Sequence, residues 1–179
     1  MSKDDLTSVA SGKPGRRQWE PGRIVLIQDT REQLGWMNLF ESRCIDGTLA
    51  VGDYSVLGLE TQVGVERKSL PDLIGSLTKG RERFERELTK ARGYQRFFVL
   101  IEGDARDILS GNYGRSQANP KSIWESIAAL SVRFCPFIFA GDRGTAARMC
   151  ESLLLKFCRE NYRNIEKMEK AQRALAKAV

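Results

Sequence analysis

The first patterned segment is Ile24-Val25-Leu26-Ile27, four apolar residues of which three are β-branched, and it predicts a buried strand. It ends abruptly at the polar cluster Gln28-Asp29-Thr30-Arg31-Glu32. The spacing of Trp36, Leu39 and Phe40 predicts a helix over Leu34–Arg43 with these three facing inward. Tyr54-Ser55-Val56 and Gln62-Val63-Gly64-Val65-Glu66 read as two strands of a hairpin that turns near Gly58. Ser69-Leu70-Pro71-Asp72 is a helix start: Ser69 can cap, Pro71 fits the first turn and Asp72 closes a capping box. That helix carries Leu73, Ile74 and Leu77. A second runs from Arg81 to about Ala91, with Phe84 and Leu88 one turn apart, and stops at Gly93.

The apolar run Phe97–Ile101 predicts another strand, closed by Glu102 and a glycine. Residues 111–119 are a polar loop. Asn119-Pro120 then opens a helix with Ile123, Ile127 and Leu130 in register. Pro136–Ala140 reads as a strand. From Gly144 a helix turns Ala147, Cys150, Leu153, Leu154 and Phe157 inward, and the Lys/Arg/Glu/Ala-rich stretch from about Tyr162 continues it as an exposed helix. Strands alternating with helices predict the α/β class, a central mixed β-sheet flanked by helices. Residues 1–22 mix Gly, Pro, Ser and charge without an apolar period and are expected to form a flexible basic arm. The domain proper is expected over 23–160, followed by a basic helical tail over 161–179.

Composition narrows the chemistry. The chain of 179 residues has no run near the roughly 18 apolar residues that span a bilayer, and its N-terminus lacks a signal-peptide core. A soluble, cytoplasmic protein is expected, nucleoid-associated if bacterial or phage. Its net charge of +6 favours a polyanionic partner. There is no histidine, which removes Ser-His-Asp and Cys-His hydrolases, His-ligated zinc and nucleases with a histidine base. Cys44, Cys135, Cys150 and Cys158 form no C-x-x-C pair, so buried free thiols are expected. Any acid or base must therefore be Asp, Glu, Lys or Tyr, and a hard metal held by oxygens is the natural helper.

Carboxylates gather at strand ends: Asp29 and Glu32, then Asp53, then Glu66. Side chains alternate along a strand, so Glu66 and Lys68 share a face. Two acids holding a metal, with a lysine beside them, are what metal-assisted phosphodiester hydrolysis requires. Taken alone, the same residues read more readily as a solvated hairpin with surface ion pairs.

The wider pattern decides between them. Gly52-Asp53, a spacer, Glu66-Arg67-Lys68, three residues and Asp72, preceded by Asp29-Thr30-Arg31-Glu32, resembles the XPF-type structure-specific endonuclease domain over about residues 23–160. The resemblance implies a restriction-endonuclease-like core and Mg²⁺- or Mn²⁺-dependent cleavage of DNA, with a preference for branched DNA such as flaps, forks and nicked junctions. It implies Asp53, Glu66 and the Arg67 carbonyl as metal ligands, and Lys68 as the water-orienting base or electrostatic stabiliser. Arg67 is left to bind phosphate or to brace an acid such as Asp72. Asp29 and Glu32 either reach the metal or hold its ligands, and Asp72 joins the site or only caps its helix.

Arg31, Arg81, Arg83, Arg86 and Lys90 are candidate DNA contacts, although a charge run with pairs such as Glu82–Arg86 is also an ordinary solvated helix. Tyr113 and Arg115 either clamp DNA or serve as a connector. Glu102 reads as a structural acid. The helix-hairpin-helix segment usual after such domains is absent, which suggests a free-standing, phage- or prophage-like form. Family members pair through this domain, so a homodimer through residues 123–157 is expected. The alternatives are an inactive nuclease-like DNA-binding partner, or a nuclease acting on ordinary duplex DNA or RNA.

Overall fold

The computed structural model describes residues 19–114 and 116–178. Among the described residues there are six strands: β1 (Leu26–Asp29), β2 (Cys44–Gly47), β3 (Tyr54–Val56), β4 (Val63–Ser69), β5 (Arg96–Glu102) and β6 (Phe137–Phe139). They form one sheet in the order β2-β1-β3-β4-β5-β6. β2 runs parallel to β1, β3 antiparallel to both β1 and β4, and β5 and β6 continue parallel to β4. The sheet is mixed, as the alternation of elements predicts. The β3–β4 hairpin turns through Gly58, whose φ of 84° suits glycine.

Among the described residues five α-helices cover the sheet: α1 (Leu70–Leu77), α2 (Arg81–Ala91), α3 (Ala105–Ser110), α4 (Pro120–Arg133) and α5 (Arg143–Ala178). The first four lie on one face and α5 lies on the other. β5 shows why its sequence is continuously apolar. Phe97, Val99 and Ile101 pack with Leu73, Phe84, Ile123 and Leu130 on one side, while Leu100 packs with Trp36, Tyr54, Cys150 and Leu154 on the other. Ser69 caps α1 by accepting the Asp72 N–H, and Asn119 caps α4 by accepting the Ser122 N–H. The Ser69 hydroxyl donates to the Asp72 carboxylate at 2.6 Å, so the expected capping box is only half formed. Among the described residues no helix is long and apolar enough to cross a membrane.

The segment 34–43 is not the predicted helix. Only Met37–Leu39 make a 3-10 turn, and Leu39 is 42% exposed. The amides a helix would have used are claimed by distant side chains. Trp36 N–H donates to the Tyr54 hydroxyl and Met37 N–H to Gln28 Oε1. Glu41 and Ser42 N–H both donate to the Glu151 carboxylate of α5, at 3.1 and 2.6 Å. This irregular path delivers β2 to the sheet edge, a strand that its short polar sequence does not announce. α3 also went unpredicted. Its signal is Asp104-x-x-Asp107, which forms a full capping box.

Tyr113 is buried and donates its hydroxyl to the Ala118 carbonyl. It is therefore a core residue and not a DNA clamp. Arg115 lies outside the described residues, as does the expected arm up to residue 18; Trp19, at the arm's end, lies 5.9 Å from the Tyr162 ring. α5 runs unbroken through 161, and after Cys158 its side chains are largely exposed. The described cysteines are all free thiols; Cys135, Cys150 and Cys158 are buried.

Glu151 is itself buried, so losing its carboxylate strands two backbone donors. Glu151→Ala is expected to destabilise the fold by about 2–3 kcal/mol, with Glu151→Gln costing less. Urea unfolding followed by circular dichroism measures both.

Candidate active site

The site forms where β3 begins and β4 ends. Asp53 is fixed on both sides of its backbone: its N–H donates to the Val65 carbonyl and its C=O accepts the Asp29 N–H, each at 2.8 Å. Its Oδ2 accepts the Arg67 N–H at 2.7 Å. Along β4 the pleat sends Glu66 and Lys68 to the α1–α4 face and Arg67 to the α5 face. Lys68 Nζ lies 2.6 Å from Glu66 Oε1 and 5.1 Å from the centre of the Phe84 ring. Asp53, Glu66, Arg67, Lys68 and Asp72 open onto a cleft of about 300 Å³. Its other wall is the 31–34 segment.

Burial, followed by repulsion from Glu66, pushes the Asp53 carboxyl up to about 8. Burial works against the charge of Lys68, but Glu66 and Asp53 outweigh it and hold the ammonium above the ordinary lysine range. The cleft thus holds a firm cation beside an acid reluctant to ionise. Asp53 and Glu66 are the pair that could hold a metal, because each carries hard oxygens into the cleft. Among the described residues no group of three Asp, Glu or Cys side chains converges as a ready metal cage.

The remaining predicted residues divide. Asp29 is buried and both its oxygens are occupied, by the Arg31 amide and guanidinium and by the Leu49 N–H. It holds the loop and does not line the cleft. Arg31 is committed to Asp29 and the Leu49 carbonyl, yet its side chain remains 69% exposed on the cleft wall. Glu32 lines the cleft 3.5 Å from Arg67. Arg67 does not brace Asp72. Its guanidinium makes two bonds to Glu102, at 2.9 and 2.8 Å, and lies over the Trp36 ring. Burial opposes the Arg67 charge, and Glu102 and Glu32 more than restore it. Asp72 is exposed at the cleft mouth and bonded to Ser69.

Arg81, Arg83, Arg86 and Lys90 do not line the cleft. The first three pair with Glu85, Glu87 and Glu82 along α2. Three residues to which the sequence assigns no site role, Trp36, Glu102 and Arg143, brace the wall from behind without lining the cleft. Trp36 Nε1 donates to Glu102 Oε1 at 2.6 Å, and Arg143 reaches the Leu34 and Gly35 carbonyls. Only Glu102, an acid closing an apolar strand, carried any signal.

The family profile described as the ERCC4 domain matches residues 28–153, well over half of the chain. The chain belongs to the ERCC4 domain family. Within it, the DNA repair endonuclease XPF of Cricetulus griseus is 42% identical over 89 residues, which are 48% of this chain and 9% of that protein. XPF from Aeropyrum pernix has a similar fold, with a TM-score of 0.59 and 24% identity over 73% of this chain and 59% of that one. The same protein in complex with DNA matches with a TM-score of 0.59 and 23% identity, over 78% and 66% of the two chains. This ERCC4 domain thus spans less than two thirds of the length of each relative. Its mixed six-stranded sheet is the XPF nuclease fold, of the restriction-endonuclease-like class.

The raised Asp53 has a thermodynamic signature. An unfolded aspartate ionises near 3.8 and the folded one near 8. Between these values the native state holds a proton that the unfolded chain has released, so the stability of the metal-free protein falls as pH rises. Asp53→Asn should remove that slope and raise stability at pH 8 by about 2–4 kcal/mol. Denaturant titrations at pH 5 and pH 8 in EDTA are the measurement.

Proposed function

We propose that this chain is a metal-dependent DNA endonuclease that hydrolyses phosphodiester bonds, acting at branched DNA. The observation that carries the reading is the half-buried grouping of Asp53 with the Glu66–Lys68 ion pair in one cleft of an ERCC4 domain. The relatives' names supply the substrate: one is a DNA repair endonuclease and another was solved with DNA.

The donor set fits Mg²⁺ or Mn²⁺. Two carboxylates are too few for a closed protein cage, and Mg²⁺ favours such sites because it keeps waters and substrate oxygens in its shell. The upward shift of Asp53 marks negative charge that the protein leaves uncompensated and a cation would relieve. Asp53 and Glu66 would hold the ion. The N–H and C=O of one strand residue point to the same edge, so the Arg67 carbonyl, whose N–H meets Asp53, is on hand as a third oxygen. When bound, the ion would polarise the phosphate and lower the pKa of water.

Lys68 stays charged and offsets the negative charge that grows on the phosphate oxygens, a role its raised pKa suits better than that of a neutral base. Asp29 and Glu32 act through the loop and Arg67, and Asp72 sits at the mouth. Arg31, exposed on the cleft wall, would offer its guanidinium to a phosphate. Arg81, Arg83, Arg86 and Lys90 would extend that path along α2, since exposed i,i+4 pairs are too weak to keep them from phosphates.

Asp53→Asn and Glu66→Gln are each expected to abolish cleavage while DNA binding persists, and Lys68→Ala to slow it by about two orders of magnitude or more. Single-turnover assays on flap, fork, nicked-junction, linear duplex and RNA substrates, with Mg²⁺, Mn²⁺ or EDTA, measure this. Near-normal rates in both acid variants would sink the assignment.

The homodimer expected through residues 123–157 has a matching surface. β6 is the edge strand opposite β2, its three residues are half-buried, and Trp124, 36% exposed, stacks on Phe139 of that strand. Trp124→Asp should shift the mass found by light scattering from dimer to monomer with the circular dichroism spectrum retained. A monomeric wild type would dismiss the pairing.

A further inference from the structure

One apolar side chain stands on the rim of the cleft. Leu34 is 65% exposed and is the only apolar residue among those described that line it. Exposure by itself is ordinary for a leucine. What distinguishes Leu34 is how firmly the chain holds it there. Its N–H donates to Glu32 Oε1 at 2.9 Å, and its carbonyl accepts Arg143 Nη1 at 2.5 Å. Arg143 also bonds the Gly35 carbonyl. The next Cα lies hard against Gln28: a Cβ at Gly35 would sit 2.0 Å from Gln28 Oε1. Trp36 then anchors the segment, with no exposed surface and its amide on the Tyr54 hydroxyl. A braced loop thus presents a leucine to solvent beside a cleft whose other lining residues are charged or polar.

We propose that Leu34 is a specificity-determining residue that contacts the nucleobase or deoxyribose next to the bond being cut. This rests on the nuclease reading of the cleft. In a continuous duplex the base faces are covered by their neighbours and only phosphates, sugars and groove edges are on offer. An apolar prong beside the phosphate gains contact only where a base face is uncovered, at a nick, gap or single-strand boundary, or where it wedges a step apart. Apolar contact with a base face reads no hydrogen-bond pattern, so Leu34 selects for unstacked nucleotides without selecting their sequence.

The test is a cycle between protein and DNA. Wild type and Leu34→Ala are compared in single-turnover cleavage of a gapped duplex and of a continuous duplex. The gapped duplex is then rebuilt with an abasic residue on either side of the mapped cut. Leu34→Ala should slow cleavage of the intact gapped substrate by about tenfold, the worth of one side chain's apolar contact. It should leave the continuous duplex and one of the abasic substrates at wild-type rates. Equal losses on intact and abasic DNA, or no loss on any, would overturn the proposal; an unchanged melting temperature excludes misfolding as the cause.

A second readout needs no cleavage. With Asp53→Asn as background, 2-aminopurine at the gap boundary should change its fluorescence on binding with Leu34 present and not with Leu34→Ala. The same response in both would overturn the contact. A wild type that cuts no DNA at all would instead reject the nuclease reading, and the fluorescence would still decide whether Leu34 meets a base.

Discussion

The Arg67 guanidinium, enclosed by Glu102, Glu32 and Trp36, is the interaction on which the rest of the site depends. It is 8% exposed, so its charge must be matched from within. Glu102 supplies two of its bonds and takes a third from the Trp36 indole. The ion pair therefore ties β4 to β5 and both to the loop that walls the cleft. Removing one member of such a buried pair costs about 3–5 kcal/mol, because the partner is left charged and unmatched. With its side chain committed on one face, Arg67 turns its backbone N–H to Asp53. Its neighbours Glu66 and Lys68 are thereby directed into the cleft.

The two halves of the site separate by chemistry. On the α5 face charges are balanced in pairs and do structural work. On the other side Asp53 and Glu66 share one ammonium, so ionising Asp53 creates a surplus of negative charge that burial makes costly. A fold tolerates such a surplus where a cation or a substrate relieves it. This contrast is a physical reason to read Asp53 and Glu66 as the reactive pair, and Asp29 and Glu102 as supports.

Much of this was legible in the chain. Strand alternation placed Glu66 and Lys68 together and Arg67 opposite. The start of α1, the bounds of α2 and the inner faces of α4 and α5 followed from caps and apolar spacing, because those signals are local. What failed was non-local. The 34–43 segment carries a helix-like spacing, but its amides are bonded by Glu151, which lies 110 residues from Glu41. β2 exists because that path brings Cys44–Gly47 beside β1. Arg67 found Glu102, 35 residues away, and not Asp72, five residues on. Tyr113 sits in a polar loop whose sequence gives no sign that its ring enters the core.

The length of α5 has a consequence of its own. A helix in water is limited by its nucleus, since the first turn fixes several residues for one hydrogen bond. In α5 that step is completed inside the protein, where Ala146, Ala147, Cys150 and Leu154 are clamped against the sheet. The exposed residues beyond Cys158 need only propagate from a turn already formed. This segment, about 30 Å long at 1.5 Å per residue, therefore loosens turn by turn with distance from that root and not as a cooperative unit. Its helicity reports the integrity of the core at its root.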